Sequence, residues 1–321
     1  MGLLTGRIAV VTGAGRGIGR AHALALAEAG AAVVVNDVGL DLRGGEGGHA
    51  LEPGTPRSEV AQAVVDEITA RGGRAVADAH NVGTLDGAGA VVETAVREFG
   101  DVHIVVNNAG TWNEATTEDI DEARIDEQFA THFKGTVGTI RAAFAAMRKA
   151  GHGGRIVNTV AGFAGSGAYG MAAYSAAKAA VVSFTQTAAT EGAEYGIGVN
   201  ALSPLAITRQ SRIYFFRTGL VSSEDQATIE RMNPANNSPL VVYLASEQSA
   251  HLTGRFFSVG LDALTPDSPI RIRENFADST EGVAAQSWTP ESVAEAMSSI
   301  VRPTPAAATM GPAPTLAGRS S

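Results

Sequence analysis

Thr12-Gly13-Ala14-Gly15-Arg16-Gly17-Ile18-Gly19 stands between a short apolar run, Arg7 to Val11, and an alanine-rich stretch that reaches about Ala29. The apolar run reads as a buried strand, and the alanine-rich stretch reads as a helix. A strand, a glycine-rich turn and a helix form the first half of a dinucleotide-binding βαβ unit. Glycines permit the tight turn and let backbone N–H groups approach a pyrophosphate at the helix N-terminus. Gly13, Arg16, Gly17, Ile18 and Gly19 are therefore candidate cofactor-binding residues.

The next apolar run, Ala32 to Asn36, ends at Asp37, 24 positions after Gly13. A carboxylate there accepts hydrogen bonds from the adenosine ribose hydroxyls and repels a 2′-phosphate. Val38 and Gly39 follow, with no cation at once, so NAD is favoured over NADP. Arg16 is the one feature that points the other way, since an arginine in the turn can serve a phosphate. Residues 39–58 are rich in glycine, contain two prolines and have no apolar period, and they read as a long surface loop.

Further strands are expected at Arg74 to Ala79, Val102 to Val106, Arg155 to Thr159, Gly198 to Leu202 and, last, Arg255 to Val259. Helices are expected at Glu59 to Arg71, Leu85 to Phe99, Asp121 to Ala150, around Tyr174, at Pro239 to Ala245, and from Thr289-Pro290-Glu291 to about Val301. Ile213 to Gly219 reads as a helix over the substrate. This alternation predicts an α/β, Rossmann-type doubly wound parallel sheet, with ligands at the carboxyl ends of the strands. Asn81-Val82 is placed to contact the adenine, and Asn107-Asn108-Ala109-Gly110 ends the fourth strand. A single dinucleotide-binding domain is expected over residues 1–301, with an extension from about 262 and a disordered, Pro/Ala/Thr/Ser-rich tail at 302–321.

Tyr174 and Lys178 lie four apart and so share a helix face. A nearby ammonium favours a phenolate, and such a pair can pass a proton to or from a carbonyl or alcohol oxygen.

The 321 residues suffice for one large domain or two small ones. Apolar residues make up 45% and charged residues 18%, so a sizeable core is expected. A net charge of −9, from 24 basic and 33 acidic residues, argues against nucleic acid or anionic membrane as a partner. The absence of cysteine excludes disulfides and thiolate chemistry. Met1 to Arg7 lacks the form of a signal peptide, and no apolar run reaches about 18 residues; a soluble cytoplasmic protein is expected. His22, His49, His80, His103, His152 and His251 are scattered without metal-ligand spacing, so no metal is expected.

Four motifs in order, Thr12-Gly13-(x3)-Gly17-x-Gly19, Asn107-Asn108-Ala109-Gly110, Tyr174-(x3)-Lys178 and Asn200-(x3)-Pro204, resemble the short-chain dehydrogenase/reductase family over roughly Leu4 to Gly260. Val35-Asn36-Asp37-Val38-Gly39, the loop after it, His132-Phe133-Lys134-Gly135, Ser238 to Leu244 and Trp288-Thr289-Pro290-Glu291 are most similar to the (3R)-hydroxyacyl-CoA dehydrogenase part of peroxisomal multifunctional enzymes and their single-domain bacterial relatives. The resemblance implies Tyr174 as general acid/base, with Lys178 holding the nicotinamide ribose and lowering the tyrosine pKa. It implies that Asp37 holds the adenosine ribose, that Asn107 to Gly110 wall the cleft, and that Pro204 to Thr208 contact the nicotinamide amide. A small-molecule hydroxyl or ketone substrate, possible as a hydroxyacyl thioester or secondary metabolite, and a homodimer or homotetramer associating through the long helices are implied as well.

Three positions depart from the family pattern. Ala161, thirteen residues before Tyr174, stands where the family has a serine that hydrogen-bonds the substrate oxygen; Thr159, Ser166 and Tyr169 are the candidate replacements. His132 replaces the usual asparagine of a proton relay, as it does in the subgroup. Leu205 replaces a glycine. The missing serine keeps open two alternatives to an ordinary dehydrogenase: repurposed chemistry (cyclase, isomerase or dehydratase), and a weakly active partner subunit. Trp112 and Tyr214-Phe215-Phe216 can line an apolar pocket or pack in the core.

Overall fold

The computed structural model describes residues 2–43, 48–51, 59–274 and 282–301. The tail 302–321, expected to be disordered, lies outside the described residues. Nine strands form one sheet in the order β11-β10-β9-β8-β7-β6-β1-β2-β5. They are β1 Ile8–Thr12, β2 Ala32–Asn36, β5 Arg74–Asp78, β6 Ile104–Asn107, β7 Gly154–Thr159, β8 Ile197–Ser203, β9 Phe256–Leu261, β10 Ile270–Glu274 and β11 Val283–Ala285. From β5 to β9 all pairs are parallel, as the sequence predicts.

The parallel strands read as continuous apolar runs because both faces are covered. In β2, Val33 and Val35 join one core, while Ala32 and Val34 join the other. The first core is roofed by α1 Gly17–Glu28, α2 Glu59–Ala70, α10 Ser238–Ala245 and α11 Pro290–Ile300. The second is covered by α3 Leu85–Phe99, α5 Gly135–Ala150 and α7 Ala172–Gly192. Each fully buried Val, Ile or Leu contributes on the order of 1.5–3 kcal/mol. The remaining helices are short: α4 Glu122–Gln128, α6 Phe163–Ser166, α8 Ser211–Arg217 and α9 Gln226–Arg231.

Three expectations are corrected. The stretch 39–58 is not wholly loop, because β3 Leu40–Arg43 and β4 Gly48–Leu51 pair as an antiparallel hairpin; residues 44–47 and 52–58 lie outside the described residues. The helix expected from Asp121 to Ala150 is interrupted by a π-helical stretch, Phe129–Lys134. Such a stretch re-aims side chains that an unbroken helix would place elsewhere. The sheet also does not end at β9, since β10 pairs antiparallel with β9 and β11 with β10. Ile270 and Ile272, 2% and 1% exposed, bury one face of β10.

Candidate active site

The strand order reverses beside β1, which pairs with β2 on one side and β6 on the other. At that switch point, along the carboxyl ends of the strands, lies a cleft of about 500 Å³. Gly13, Arg16, Gly17 and Ile18 line it from the turn after β1, and Asp37 from the end of β2. Asn81 and Val82 follow β5, and Asn108, Ala109 and Gly110 follow β6. Tyr174 and Lys178 enter from α7, His132 from the π-helical stretch, and Pro204 and Thr208 from the segment after β8.

The turn is tight because it must be. Gly13 has φ +61°, and a Cβ on it would sit 2.7 Å from the Ala109 Cα. The Thr12 hydroxyl accepts from the backbone N–H groups of Asn108 and Ala109, which ties the two turns together. This cradle, with backbone rather than side chains at its surface, fits a dinucleotide pyrophosphate. Asp37 is fixed by its own neighbours: Oδ2 accepts from the Gly15 N–H at 3.0 Å, and Oδ1 from the Gly39 N–H at 2.8 Å.

Two residues expected to contact the cofactor, Gly19 and Asn107, do not line the cleft. Gly19 packs so closely that a Cβ would lie 2.2 Å from the Gly13 carbonyl oxygen. Its role is close approach of helix and turn. The Asn107 side chain turns inward, donating to Asn158 Oδ1 and accepting from the Thr139 hydroxyl; Asn158 in turn donates to Thr185. This chain ties β6, β7, α5 and α7 together. The Asn108 side chain likewise donates to the carbonyls of Thr12 and Gly13, although the residue still borders the cleft.

Tyr174 is half-buried and ringed by aromatics. Its ring centroid lies 5.0 Å from Trp112 and 5.2 Å from His132, the latter edge-on at 89°. Trp112 also meets Tyr214 at 5.8 Å. Tyr214 and Phe215 line the cleft from α8, whereas Phe216 does not. His132, 3% exposed, shares its Nε2 with the Thr111 carbonyl at 2.9 Å. A carbonyl only accepts, so Nε2 carries the proton. Gly110 makes room for that ring: a Cβ there would lie 2.5 Å from His132 Cε1.

The electrostatics of the pair differ from expectation. Lys178 Nζ donates to the Thr159 carbonyl at 2.7 Å and lies 5.8 Å from the Tyr174 ring centroid. Burial lowers the Lys178 pKa to about 7, and burial also pushes the Tyr174 phenol well above its usual value. Desolvation penalises the charged form of each group. It outweighs the lowering of the tyrosine pKa that the lysine was expected to exert.

Ala161 lines the cleft and offers no donor. Of the three candidate replacements, only Thr159 also lines it, and its Oγ1 is buried with no hydrogen-bond partner. Ser166 Oγ is turned to the carbonyls of Gly162 and Gly167, and Tyr169 is 83% exposed. Ser203, Gln210 and Arg273 also line the cleft and were not singled out from sequence. The alternation Ile270-Arg271-Ile272-Arg273 carried a strand signal that could have located the last.

One further correction concerns the histidines. Asp101, His103 and His152 converge at the amino ends of β6 and β7, with ligand atoms all within 4.8 Å of one another. They are held by each other and by backbone. His152 Nε2 meets Asp101 at 3.0 Å, its Nδ1 donates to the Gly153 carbonyl, and the two imidazoles stack at 4.4 Å. Ile8 N–H donates to His103 Nδ1 at 3.3 Å.

The short chain dehydrogenase family model matches residues 47–214, just over half of the chain. The hydroxyacyl-CoA dehydrogenase ChsB1 of Mycobacterium tuberculosis is 34% identical over 295 residues, covering 89% of this chain and 86% of that protein. The peroxisomal hydratase-dehydrogenase-epimerase of Neurospora crassa is 37% identical over 255 residues; these cover 79% of this chain but only 26% of that longer protein. A crystal structure of a short chain dehydrogenase from Mycobacterium avium matches with a TM-score of 0.68 at 38% identity, over 95% of this chain and 99% of that one. The chain belongs to the short-chain dehydrogenase/reductase family, whose members bind nicotinamide nucleotides. It is an oxidoreductase of that family by descent. Among the described residues, no helix is long and apolar enough to cross a membrane.

Proposed function

We propose that the chain is an NAD(H)-dependent oxidoreductase acting on the hydroxyl or ketone of a hydroxyacyl thioester or a related small molecule. One observation carries the reading: Tyr174 and Lys178 face the same cleft whose other end holds the glycine turn and Asp37. The name of the M. tuberculosis relative supports the substrate class.

The glycine turn would hold the pyrophosphate, Asp37 the adenosine ribose, and Lys178 the nicotinamide ribose, with Thr208 near the amide. A bound nicotinamide supplies or accepts the hydride. Tyr174 supplies or accepts the proton at the substrate oxygen. The phenol is protonated at neutral pH and can donate to a carbonyl oxygen, while burial, by raising its pKa, makes it a weaker acid. Taking a proton from an alcohol instead requires the ammonium form of Lys178 beside it. His132 acts as a positioning residue, setting the tyrosine ring edge-on. Trp112, Tyr214 and Phe215 give the substrate end an apolar lining.

Ala161 bears on rate, since loss of one such donor costs on the order of 10²–10³. It is also the observation that favours the second reading, a family member that binds nucleotide without ordinary carbonyl reduction. Turnover separates the two. With acetoacetyl-CoA and NADH, loss of absorbance at the nicotinamide band supports the dehydrogenase; tight NADH binding with no turnover on a panel of ketoacyl thioesters supports the alternative. A homodimer or homotetramer built through α5 and α7, and a cytoplasmic location, belong to the same proposal. A monomer mass in sedimentation refutes the first, and fractionation tests the second.

A further inference from the structure

We propose that Arg273 is a substrate anchor that selects molecules bearing an anionic oxygen group, either a carboxylate or a phosphate. The inference rests on reading the cleft as the reaction site and adds a specificity residue from outside the motifs considered so far.

Arg273 lies on β10, opposite Ser258 of β9. The alternation of β10 sends Ile270 and Ile272 into the core and leaves Arg271 and Arg273 on the other face. One carboxylate, Asp262, serves both arginines. Arg271 takes it in a fork through Nε and Nη2, and gives Nη1 to the Gly282 carbonyl at 3.0 Å. Arg273 reaches the same carboxylate with Nη2 alone, at 3.0 Å. Two guanidiniums and one carboxylate leave this trio with an excess positive charge. The nearest other acid on the strand, Glu274, is engaged by Arg255 at 2.6 Å.

The Arg273 guanidinium is not satisfied by these contacts. Its side chain is only 17% exposed, and its Nε is buried without an acceptor. Nη1 has no partner among the described residues. A guanidinium carries five N–H donors, and here one is used. Keeping a largely desolvated cation with so little pairing is costly unless a partner arrives. Burial lowers its pKa, against the opposing effect of Asp262.

The open donor points to the cleft. A Cβ on Gly260 would lie 3.9 Å from Arg273 Nη1 and 3.9 Å from Leu205 Cδ2, and all three residues line the cavity. The position also says which end of the cleft it serves. Asp37 closes β2, and Arg273 sits against β9, five strand positions away, about 24 Å at the usual inter-strand spacing. Tyr174 enters from the helix after β7, between the two. The adenosine end and the arginine end are therefore on opposite sides of the proposed proton donor. In a chain of net charge −9, a guanidinium with most of its donors unused at that end does not reflect a generally basic chain. Planar oxyanions suit a guanidinium edge, and such hydrogen bonds are among the strong ones.

The test uses the full chain saturated with NADH and measures binding by calorimetry. The probes are acetoacetate (a free carboxylate), acetoacetyl-CoA (phosphates on the carrier) and acetoacetyl-N-acetylcysteamine (a neutral thioester). In Arg273→Met, the Kd of at least one anionic probe should rise about tenfold or more, while the neutral thioester and NADH itself move less than about twofold; a tenfold change is about 1.4 kcal/mol. Arg273→Lys should restore part of the loss and also guards against a Met variant that fails to fold. A response to acetoacetate alone assigns the anion to the acyl part; a response to acetoacetyl-CoA alone assigns it to the carrier. Equal losses for charged and neutral probes, or anionic probes that bind the wild type no tighter than the neutral one, overturn the proposal. Failure of the wild type to bind NADH strikes the proposed function instead, and the same anion titration without NADH still decides on Arg273.

Discussion

Asp37→Ala should convert a strong preference for NADH into near indifference between NADH and NADPH. Each Asp37 oxygen already accepts one backbone N–H, from Gly15 at 3.0 Å and Gly39 at 2.8 Å. The carboxylate is thereby oriented, and its remaining lone pairs border the cleft. Two ribose hydroxyls donating to it would form charge-assisted bonds, worth roughly 1.5–3 kcal/mol each. A 2′-phosphate removes one donor and brings about 1.5 negative charges, and at ~5 Å with an effective dielectric of ~20 the repulsion is ~5 kcal/mol. Water at the half-buried mouth reduces this, and a net discrimination of ~3 kcal/mol corresponds to more than about 100-fold in Kd. In Asp37→Ala the repulsion vanishes, and the Gly15 and Gly39 N–H groups become free to donate to a phosphate. NADH should then weaken about 100-fold while NADPH tightens, bringing the ratio to about 1 or below. Trp112, in the cleft wall, provides a fluorescence signal for both titrations. Raising salt from ~0.05 to ~0.5 M should narrow the wild-type ratio and leave that of the variant almost still. A wild-type preference under about tenfold, or a ratio unmoved by the substitution, would refute the argument.

Ala161→Ser should raise turnover on a ketoacyl thioester, by up to ~10²–10³ if no other donor is present. If Thr159 is the present donor, Thr159→Val slows the wild type and spares the Ala161→Ser background; steady-state kinetics on the four proteins decides. His22 is fully buried, and burial lowers its pKa to about 3 from 6.5. The unfolded chain thus binds one more proton between those values, so stability should fall with pH below 6.5 at up to ~1.4 kcal/mol per unit. His22→Gln should flatten that slope in urea melts at successive pH values, and an unchanged slope sinks the assignment. Gly110→Ala places a Cβ 2.5 Å from His132 Cε1, so a stability loss of ~1–3 kcal/mol and a displaced Tyr174 are expected. Paired melting and turnover measurements would check it, and wild-type values in both would show that the ring has room to move.

The parallel core was legible because each strand is an apolar run closed by a turn residue, and because Gly13 and Gly19 can be nothing larger where they stand. The Thr289 cap with Pro290 after it marked α11 correctly, with Thr289 accepting from Ser292 N–H. What stayed hidden depends on direction and distance in space. Asn107 belongs to a cofactor-facing motif by position, yet its side chain bonds inward to Asn158 and Thr139. The π-helical stretch at Phe129–Lys134 has no proline or glycine to announce it. Asp101, His103 and His152 are brought together only by strand pairing. Proximity of Tyr174 and Lys178 was correctly inferred, but the sign of the tyrosine shift depends on how completely both are withdrawn from water, which spacing does not encode.

The antiparallel strands β10 and β11 also change what the molecule can become. Without them β9 would present an unpaired row of backbone donors and acceptors, a ready template for another chain. With them the exposed rim is β11, three residues long. The same segment that insulates the sheet from self-association carries Arg273 to the cleft. Trimming it should therefore yield an aggregating protein and not merely a less selective one, so selectivity and solubility are coupled in one hairpin.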